Sequence, residues 1–458
     1  MRFNIMINSK QHLRNYTQYR RGSILIVVIS ISALMFISMG SFLNLASQQL
    51  KTTNKAFFYN ACLDLAESGI EDAIWTLNFN NFSGWNLIDG EYTKKISNFN
   101  IDSTSTAEAF VVIQNPGSSP KVISEGRVIF ANGQKITKQI MIELAPRSMF
   151  PNGLTAKNSI TFSGGNVAVD AYDSNTTTLS GNRIDRGTVA TQSALNDIIS
   201  ISNASIFGYI STGGSDPDIG PNGKVYGADR IDEVEVTNDS NFYIDESRIT
   251  RDFSAYLADV NIPTGMTPAP YPTGSSTLGD ATGATVQVYE ISDLQIKSTE
   301  SLLIEGPTII FADNLDVKGE ILIDQANGSL QIYLTEDLSV AGNGIVNLPN
   351  NPQNSPNPEK LLIFGTGTET SDQTFTMGGN SSLAAGIYAP NADVQLNGGG
   401  SSGTMYGSIV ADNIKITGNY AFRYDVKLGE MKEEQSYRLV SWAELTSNEE
   451  KYDFSGWN

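Results

Sequence analysis

The chain opens with a long stretch that carries no charge. From Gly22 to Leu45 no charged residue occurs, and 13 of the 24 positions are Leu, Ile, Val or Phe. At about 1.5 Å per residue, a helix of that length crosses the roughly 30 Å hydrocarbon core of a bilayer. Each large apolar residue favours insertion by about 0.3 to 0.6 kcal/mol, which outweighs the scattered serines. The pattern predicts a transmembrane helix over 22–45. Further on, Phe58, Cys62, Leu65, Gly69, Ala73 and Leu77 recur three or four apart, while Lys51, Lys55, Asp64, Glu67, Glu71 and Asp72 mark more polar faces. One helix from Gly22 to about Leu77 would be roughly 80 Å long. Half of it would sit in lipid and half would carry a soluble domain.

After Trp85 the spacing changes from helical to alternating. Residues 91–99, 108–114, 121–130 and 135–144 read as strands, and Pro116-Gly117 and Asn132-Gly133 supply turn pairs between the later ones. Region 46–146 is therefore expected to be a helix extension plus a small antiparallel sheet whose apolar face packs on the helix. From 150 to 428 the chain becomes a series of short apolar strands separated by Gly, Asn and Asp, such as Leu294–Ile296, Leu302–Ile304, Leu315–Val317, Ile321–Ile323 and Ile414–Ile416. Short strands with tight corners favour a parallel β-helix-like solenoid, and a β-sandwich is the alternative. Two interruptions are expected. Arg251–Val260 reads as a short helix leading into Pro263, Pro268, Pro270 and Pro272, a semi-rigid linker within 263–278. Residues 348–358, rich in Pro and Asn, read as a loop projecting from one turn of the solenoid. The polar stretch 429–458 reads as a loosely attached tail. The fold class expected is mainly β with a long N-terminal α-helix.

Charge adds an orientation. The leader 1–21 holds five of the 30 basic residues (Arg2, Lys10, Arg14, Arg20, Arg21) and no acid, leaving 25 basic against 49 acidic residues in the rest. The positive-inside rule keeps such a leader in the cytoplasm and sends the acidic body across. A cleaved secretory signal is the rival reading, but its apolar region is typically shorter, about 7 to 15 residues. An acidic body also argues against nucleic acid as partner, because phosphate binding depends on Lys and Arg. Cys62 is the only cysteine and His12, in the leader, the only histidine. These counts exclude an intramolecular disulfide, the Ser-His-Asp and Cys-His arrangements, and histidine-ligated catalytic zinc. No cofactor is called for.

The remaining candidates are few. Ser23, Ser30, Ser38, Ser41 and Asn44 fall in one sector of the membrane helix at 100° per residue. Small polar faces let membrane helices approach closely, although serine is also simply tolerated in lipid. Carboxylate pairs occur at Asp170 and Asp173, Asp216 and Asp218, and Asp313 and Asp316. A glycosidase needs two carboxylates about 5 to 9.5 Å apart, whereas Asp also caps turns readily. Asp216, Asp218 and Asn222 bring oxygen ligands close together in sequence, a weak calcium signal without the EF-hand spacing.

The N-terminus resembles the PilX N-terminal family of type IV pilus minor subunits. The resemblance rests on Arg20-Arg21-Gly22 before the apolar run and on Leu65-Ala66-Glu67-Ser68-Gly69-Ile70-Glu71-Asp72-Ala73 near the helix end. It implies a pilin-like α/β region and a prepilin-peptidase cut between Gly22 and Ser23. It also implies other pilin-like subunits and membrane lipid as partners, in a bacterial inner membrane with the body in the periplasm or on the cell surface. Two positions depart from the pattern: Ser23 stands where pilins usually have Phe, and Val27 where major pilins carry a glutamate. A non-enzymatic minor subunit is thus the expected function. A stand-alone anchored adhesin or envelope protein, and a carboxylate-dependent polysaccharide-acting enzyme, are the alternatives. Further on, Leu361–Gly365, Gly386–Val394 and Phe422-Arg423-Tyr424-Asp425 resemble an uncharacterised domain often fused to such N-termini, in which His is expected where Arg423 stands. Phe-Ser-Gly-Trp-Asn occurs twice, at 82–86 and 454–458, which chance or shared turn chemistry accounts for.

Overall fold

The computed structural model describes residues 12–454 except 100, 102–104, 118, 165–166, 180–181, 196–197, 229–243, 273–275, 343, 400–402 and 448–449. The chain is mainly β with one long N-terminal helix, and it divides into two compact units. One is 1–147 with 434–458, the other 148–433.

In the first unit a single helix runs from His12 to Asn78, 67 residues, or about 100 Å. It ends where Asn80 takes a left-handed conformation (φ 46°) and the Asn81 amide donates to the Thr76 carbonyl at 3.1 Å. Its outer half buries Cys62, Leu65, Ala66, Ile70, Ala73 and Leu77, the periodic positions of the sequence pattern together with Ala66 and Ile70. Five consecutive strands, Asn86–Ile88, Glu91–Phe99, Ser105–Gln114, Lys121–Phe130 and Lys135–Ser148, pair antiparallel in chain order. Val111, Ile113, Val122, Ile140 and Ile142 from this sheet complete the core under the helix. Helix and sheet approach most closely at two glycines. A Cβ added at Gly126 would stand 1.9 Å from the Cys62 carbonyl oxygen, and one at Gly69 would stand 2.3 Å from Ser124 Oγ.

Residues 432–445 and Phe454 do not form a loose tail. Lys432–Glu444 forms the sixth strand, beside Lys135–Ser148. Leu445 and Phe454 are buried against Phe110, Val112 and Ile123. The segment's polar residues hid this role, because an edge strand needs only one apolar face.

The second unit is one 22-stranded sheet whose ladders between named strands are all parallel. This excludes the antiparallel sandwich. Following one ladder, Gln287 faces Thr308, Thr308 faces Leu330, Leu330 faces Leu361, Leu362 faces Gly386, and Gly386 faces Ser408. Ile409 then faces Leu154 from the start of the unit, Leu154 faces Val189, Val189 faces Ile210, and Ile210 faces Ile249. The chain therefore begins mid-stack, climbs to one end by residue 250, returns to the other end, and winds back to its start. There the Met149 amide donates to the Met431 carbonyl at 2.9 Å. The sheet surrounds one continuous apolar core, in which Ile310, Ile332, Ile363, Ile387 and Ile409 lie in a fully buried column.

Both expected interruptions take other forms. Residues 251–260 are extended, not helical, and form part of the return path. Phe253 donates its amide to the Thr212 carbonyl, Ala258 accepts from Tyr388, and Ala269–Pro270 pairs with Tyr289–Glu290. The loop 348–358, exposed over 350–354, is tied to residues 172–179. The Leu179 amide donates to the Gln353 carbonyl at 2.9 Å, Thr178 bridges Asn354, and Tyr172 Oη donates to the Pro356 carbonyl at 3.1 Å.

Candidate functional site

The first candidate surface is the helix. Its segment from Ile24 is long and apolar enough to cross a membrane once, and from Ile24 to Leu50 every side chain is exposed, Phe36 at 76%. An apolar surface of that extent is what lipid or neighbouring apolar helices cover. Ser30, Ser38, Ser41 and Asn44 are exposed in it. Ser38 Oγ donates to its own helix at the Met35 carbonyl, 2.9 Å, the local bond that makes serine tolerable in lipid. Gly22 and Ser23 lie within the helix, and their side chains fall outside the described residues.

The candidate carboxylates of the second unit each have a partner. Asp170 accepts from Arg183 Nε at 3.0 Å and Arg423 Nε at 2.7 Å. Arg423, standing where the resemblance led us to expect His, is thus an ion-pair partner that also lies 5.6 Å over the Tyr172 ring. Asp173 caps the Asn175 amide at 2.9 Å, Asp313 accepts from Thr335 at 2.7 Å, and Asp316 pairs with Lys318 at 2.8 Å. Asp216 pairs with Arg251, Asp218 accepts from Ser200 at 3.2 Å, and Asn222 donates to Asn203 at 3.0 Å. The three oxygen donors of the calcium candidate therefore each have a different partner. Among the described residues no group of three or more His, Cys, Asp or Glu is gathered to hold a metal ion.

A polar hub was missed by the sequence reading. Asn391 is 8% exposed. Its Nδ2 donates to the Gly367 carbonyl at 2.8 Å and to Asp259 Oδ1 at 2.9 Å, and its Oδ1 accepts from Lys157 Nζ at 2.6 Å. With Tyr388, whose Oη donates to the Ala258 carbonyl at 3.0 Å, it clamps the return path onto the stack. The segment Gly386–Val394 is visible as a motif, but its partners lie 130 and 234 residues away, so no local signal names them. Asp425, from the other motif segment, is fully buried. Burial pushes its carboxyl above the ordinary range, against the Ser174 and Lys427 amides that donate to it at 3.0 and 3.2 Å.

The first unit has a cleft of about 460 Å³ lined by Glu125, Arg127, Lys135, Gln139, Tyr452 and Phe454 among others. Its floor is a buried ion pair, Arg127 to Glu125 at 2.6 Å. Gln139 Nε2 donates to Glu125 at 2.8 Å, and the guanidinium lies 4.3 Å over Phe110. Burial, together with the bond to Glu91 at 2.7 Å, pushes Tyr452 up to about 12.

Residues 273–431 match a family described only as a domain of unknown function (DUF7305). The matched span begins at the far end of the return path and contains the hub residue Asn391, Tyr388, Arg423 and Asp425. No curated protein and no solved structure matches the chain.

Proposed function

We propose that this chain is a non-enzymatic, pilin-like minor subunit of a type IV pilus or related assembly system. Its N-terminal helix spans the bacterial inner membrane once, with the basic leader in the cytoplasm and the acidic body in the periplasm or at the cell surface. The observation that carries the reading is the continuity of the helix. One unbroken element passes from a fully exposed apolar half to a half buried on a five-strand antiparallel meander. Such a rod can join lipid and neighbouring helices at one end while holding a folded unit at the other. Partners are other pilin-like subunits, met through the face bearing Ser30, Ser38, Ser41 and Asn44, and membrane lipid.

The second unit is read as a parallel β-helix-like solenoid displayed as a head. Its support is the steady parallel offset from Gln287 to Thr308 to Leu330 and the buried isoleucine column inside it. The local ion pairing of its carboxylates favours a scaffold over a hydrolase. Val27, at the fifth position after Gly22, lacks the carboxylate of a main-fibre subunit, which supports a minor place in the assembly. Cross-linking through the helix in cells, with mass-spectrometric identification of neighbours, tests this directly. Pilin-like subunits should be recovered, and the mature chain should begin at Ser23 only where prepilin peptidase is present. Recovery without any pilin-like neighbour, and with Met1 retained, would favour a stand-alone anchored envelope protein.

A further inference from the structure

We propose that Lys157 and Asn391 join in an intramolecular isopeptide bond that locks the two arms of the parallel stack together. The geometry begins at a corner. Asn391 sits in the irregularity between Ala389 and Asp393, Asp412 in that between Ala411 and Asn413, and Lys157 opposite it between Ala156 and Ser159. Three successive turns thus place an amide, a carboxylate and an ammonium at one corner. Lys157 Nζ reaches over the middle turn to Asn391 Oδ1 at 2.6 Å, so the nitrogen lies in contact with the amide group whose carbon it would attack. Other ammonium groups, those of Lys94, Lys318 and Lys427, face carboxylates. Lys157 faces an amide.

The surrounding groups suit the chemistry. Nζ gives up a proton and attacks Asn391 Cγ. The new N–C bond forms, the Cγ–Nδ2 bond breaks, and the leaving nitrogen departs as ammonium. The two protons lost by Nζ are the two gained by Nδ2, so an ammonium and a primary amide become a secondary amide and free ammonium, with no oxidant or cofactor. Asp259 Oδ1 accepts from Nδ2 at 2.9 Å, and because Asp259 is exposed it can pass a proton taken from solvent to the leaving nitrogen. Asp412 stands on the lysine side. Burial holds its carboxyl above the ordinary range, Asp393 and Glu369 add to the shift, and Lys157 and Asn158 oppose it, which makes it a better proton acceptor than a solvated carboxylate. The Gly367 carbonyl fixes the amide's orientation.

The location explains what the bond does. Lys157 belongs to the arm that climbs from Leu154, and Asn391 to the arm that winds up from the other end. Between their starting and finishing turns the stack is joined by non-covalent contacts: ladder hydrogen bonds, the Asp170–Arg423 ion pair, and the Asn158–Asp412 and Ser159–Asn413 bonds. A covalent tie there makes the seam resist opening under load. The inference does not depend on which assembly the chain serves.

The test is peptide mapping of the full-length protein, extracted in detergent and then denatured. The expected result is a branched peptide joining the segments around Lys157 and Asn391, lighter by one ammonia than its two parts. Lys157→Ala and Asn391→Ala should each give linear peptides only. Asp259→Ala, at an exposed position, should leave the heat-unfolding transition cooperative but abolish or strongly slow branching. Linear peptides with free Lys157 and intact Asn391 from folded wild-type protein would overturn the proposal, as would deamidated Asn391 without a branch.

Discussion

Docking of the long helix on its sheet depends on the missing side chain at Gly126, and Gly126→Ala measures how much. The added methyl carbon would lie 1.9 Å from the Cys62 carbonyl oxygen, 2.8 Å from the Ala66 amide nitrogen and 2.9 Å from the Cys62 carbonyl carbon. Ordinary contact needs about 3.5 Å, so the helix must lift by roughly 1.5 Å at this point. Nothing nearby can rotate away, because the atoms met are helix backbone. Overpacking of this kind costs about 1 to 3 kcal/mol, and a backbone obstruction belongs at the upper end. Alanine's lower unfolded-state entropy returns about 0.5 to 1 kcal/mol. The net loss is about 2 kcal/mol, or roughly 4 to 8 °C in Tm for a unit of about 150–250 residues. Heat unfolding followed through the buried Trp85 reads it out. Gly117→Ala is the control, since a Cβ there meets nothing within 4 Å; it should change stability by less than about 0.5 kcal/mol. If Gly126→Ala proves as stable as the control, the helix does not rest on this strand.

Three further outcomes follow from buried groups. Burial pushes the Cys62 thiol from 9.0 to about 11, so its contribution to stability is complete below pH 9 and is lost as pH rises through about 11, on the order of 2 kcal/mol; Cys62→Ser should flatten that part of the stability-pH curve, and at pH 8 the wild-type thiol should react with disulfide reagents only on unfolding. Glu125→Ala leaves Arg127 buried without its carboxylate and should cost about 3 to 5 kcal/mol in denaturant unfolding, whereas Glu143→Ala, which removes an exposed bond from Ser441, should cost little. Tyr388→Phe removes the hydroxyl that holds the Ala258 carbonyl, which should cost about 1 kcal/mol and raise the rate of thermolysin cleavage within residues 253–268.

What the sequence revealed and what it hid divide by the range of the interactions involved. The helix was legible because its signals are local: an uncharged run sized to a bilayer, then apolar positions three and four apart, of which Cys62, Leu65, Gly69, Ala73 and Leu77 are buried and Phe58 is partly so. The strands 91–99 and 121–130 were legible to the residue, because alternation and the Asn132-Gly133 turn are also local; that hairpin closes with Phe130 donating to the Gln134 carbonyl at 2.9 Å. Strand 432–444 was not, since it enters the sheet as an edge with Leu439, Val440 and Trp442 exposed, and nothing in its spacing separates such a strand from a solvated tail. The candidate carboxylates were visible as residue types, and Asp173 and Asp316 have partners two residues away, but Arg423, Thr335 and Arg251 reach Asp170, Asp313 and Asp216 from 253, 22 and 35 residues away, so for these the choice between corner and catalyst lay outside the local pattern.

The return path shows how long-range order overrides a local preference. Residues 251–260, with Phe253, Leu257 and Val260 three or four apart, have helical spacing, yet two anchors forbid a helix there. Phe253 is held at Thr212 and Ala258 at Tyr388. Between those anchors lie four ladder steps, from Ser211 to Ala190, Thr155, Val410 and Tyr388. At about 4.8 Å per step the distance is roughly 19 Å. Five residues of helix advance only about 7.5 Å, whereas five extended residues cover about 17 Å, and the reach of the Tyr388 side chain supplies the rest. The stack order, which no segment of the sequence states, therefore dictates the conformation of the segment that crosses it. The prolines at 263, 268, 270 and 272 fit the same requirement, since each removes a backbone donor and fixes φ for extended chain, and pairing along this stretch is confined to the short strand Ala269–Pro270.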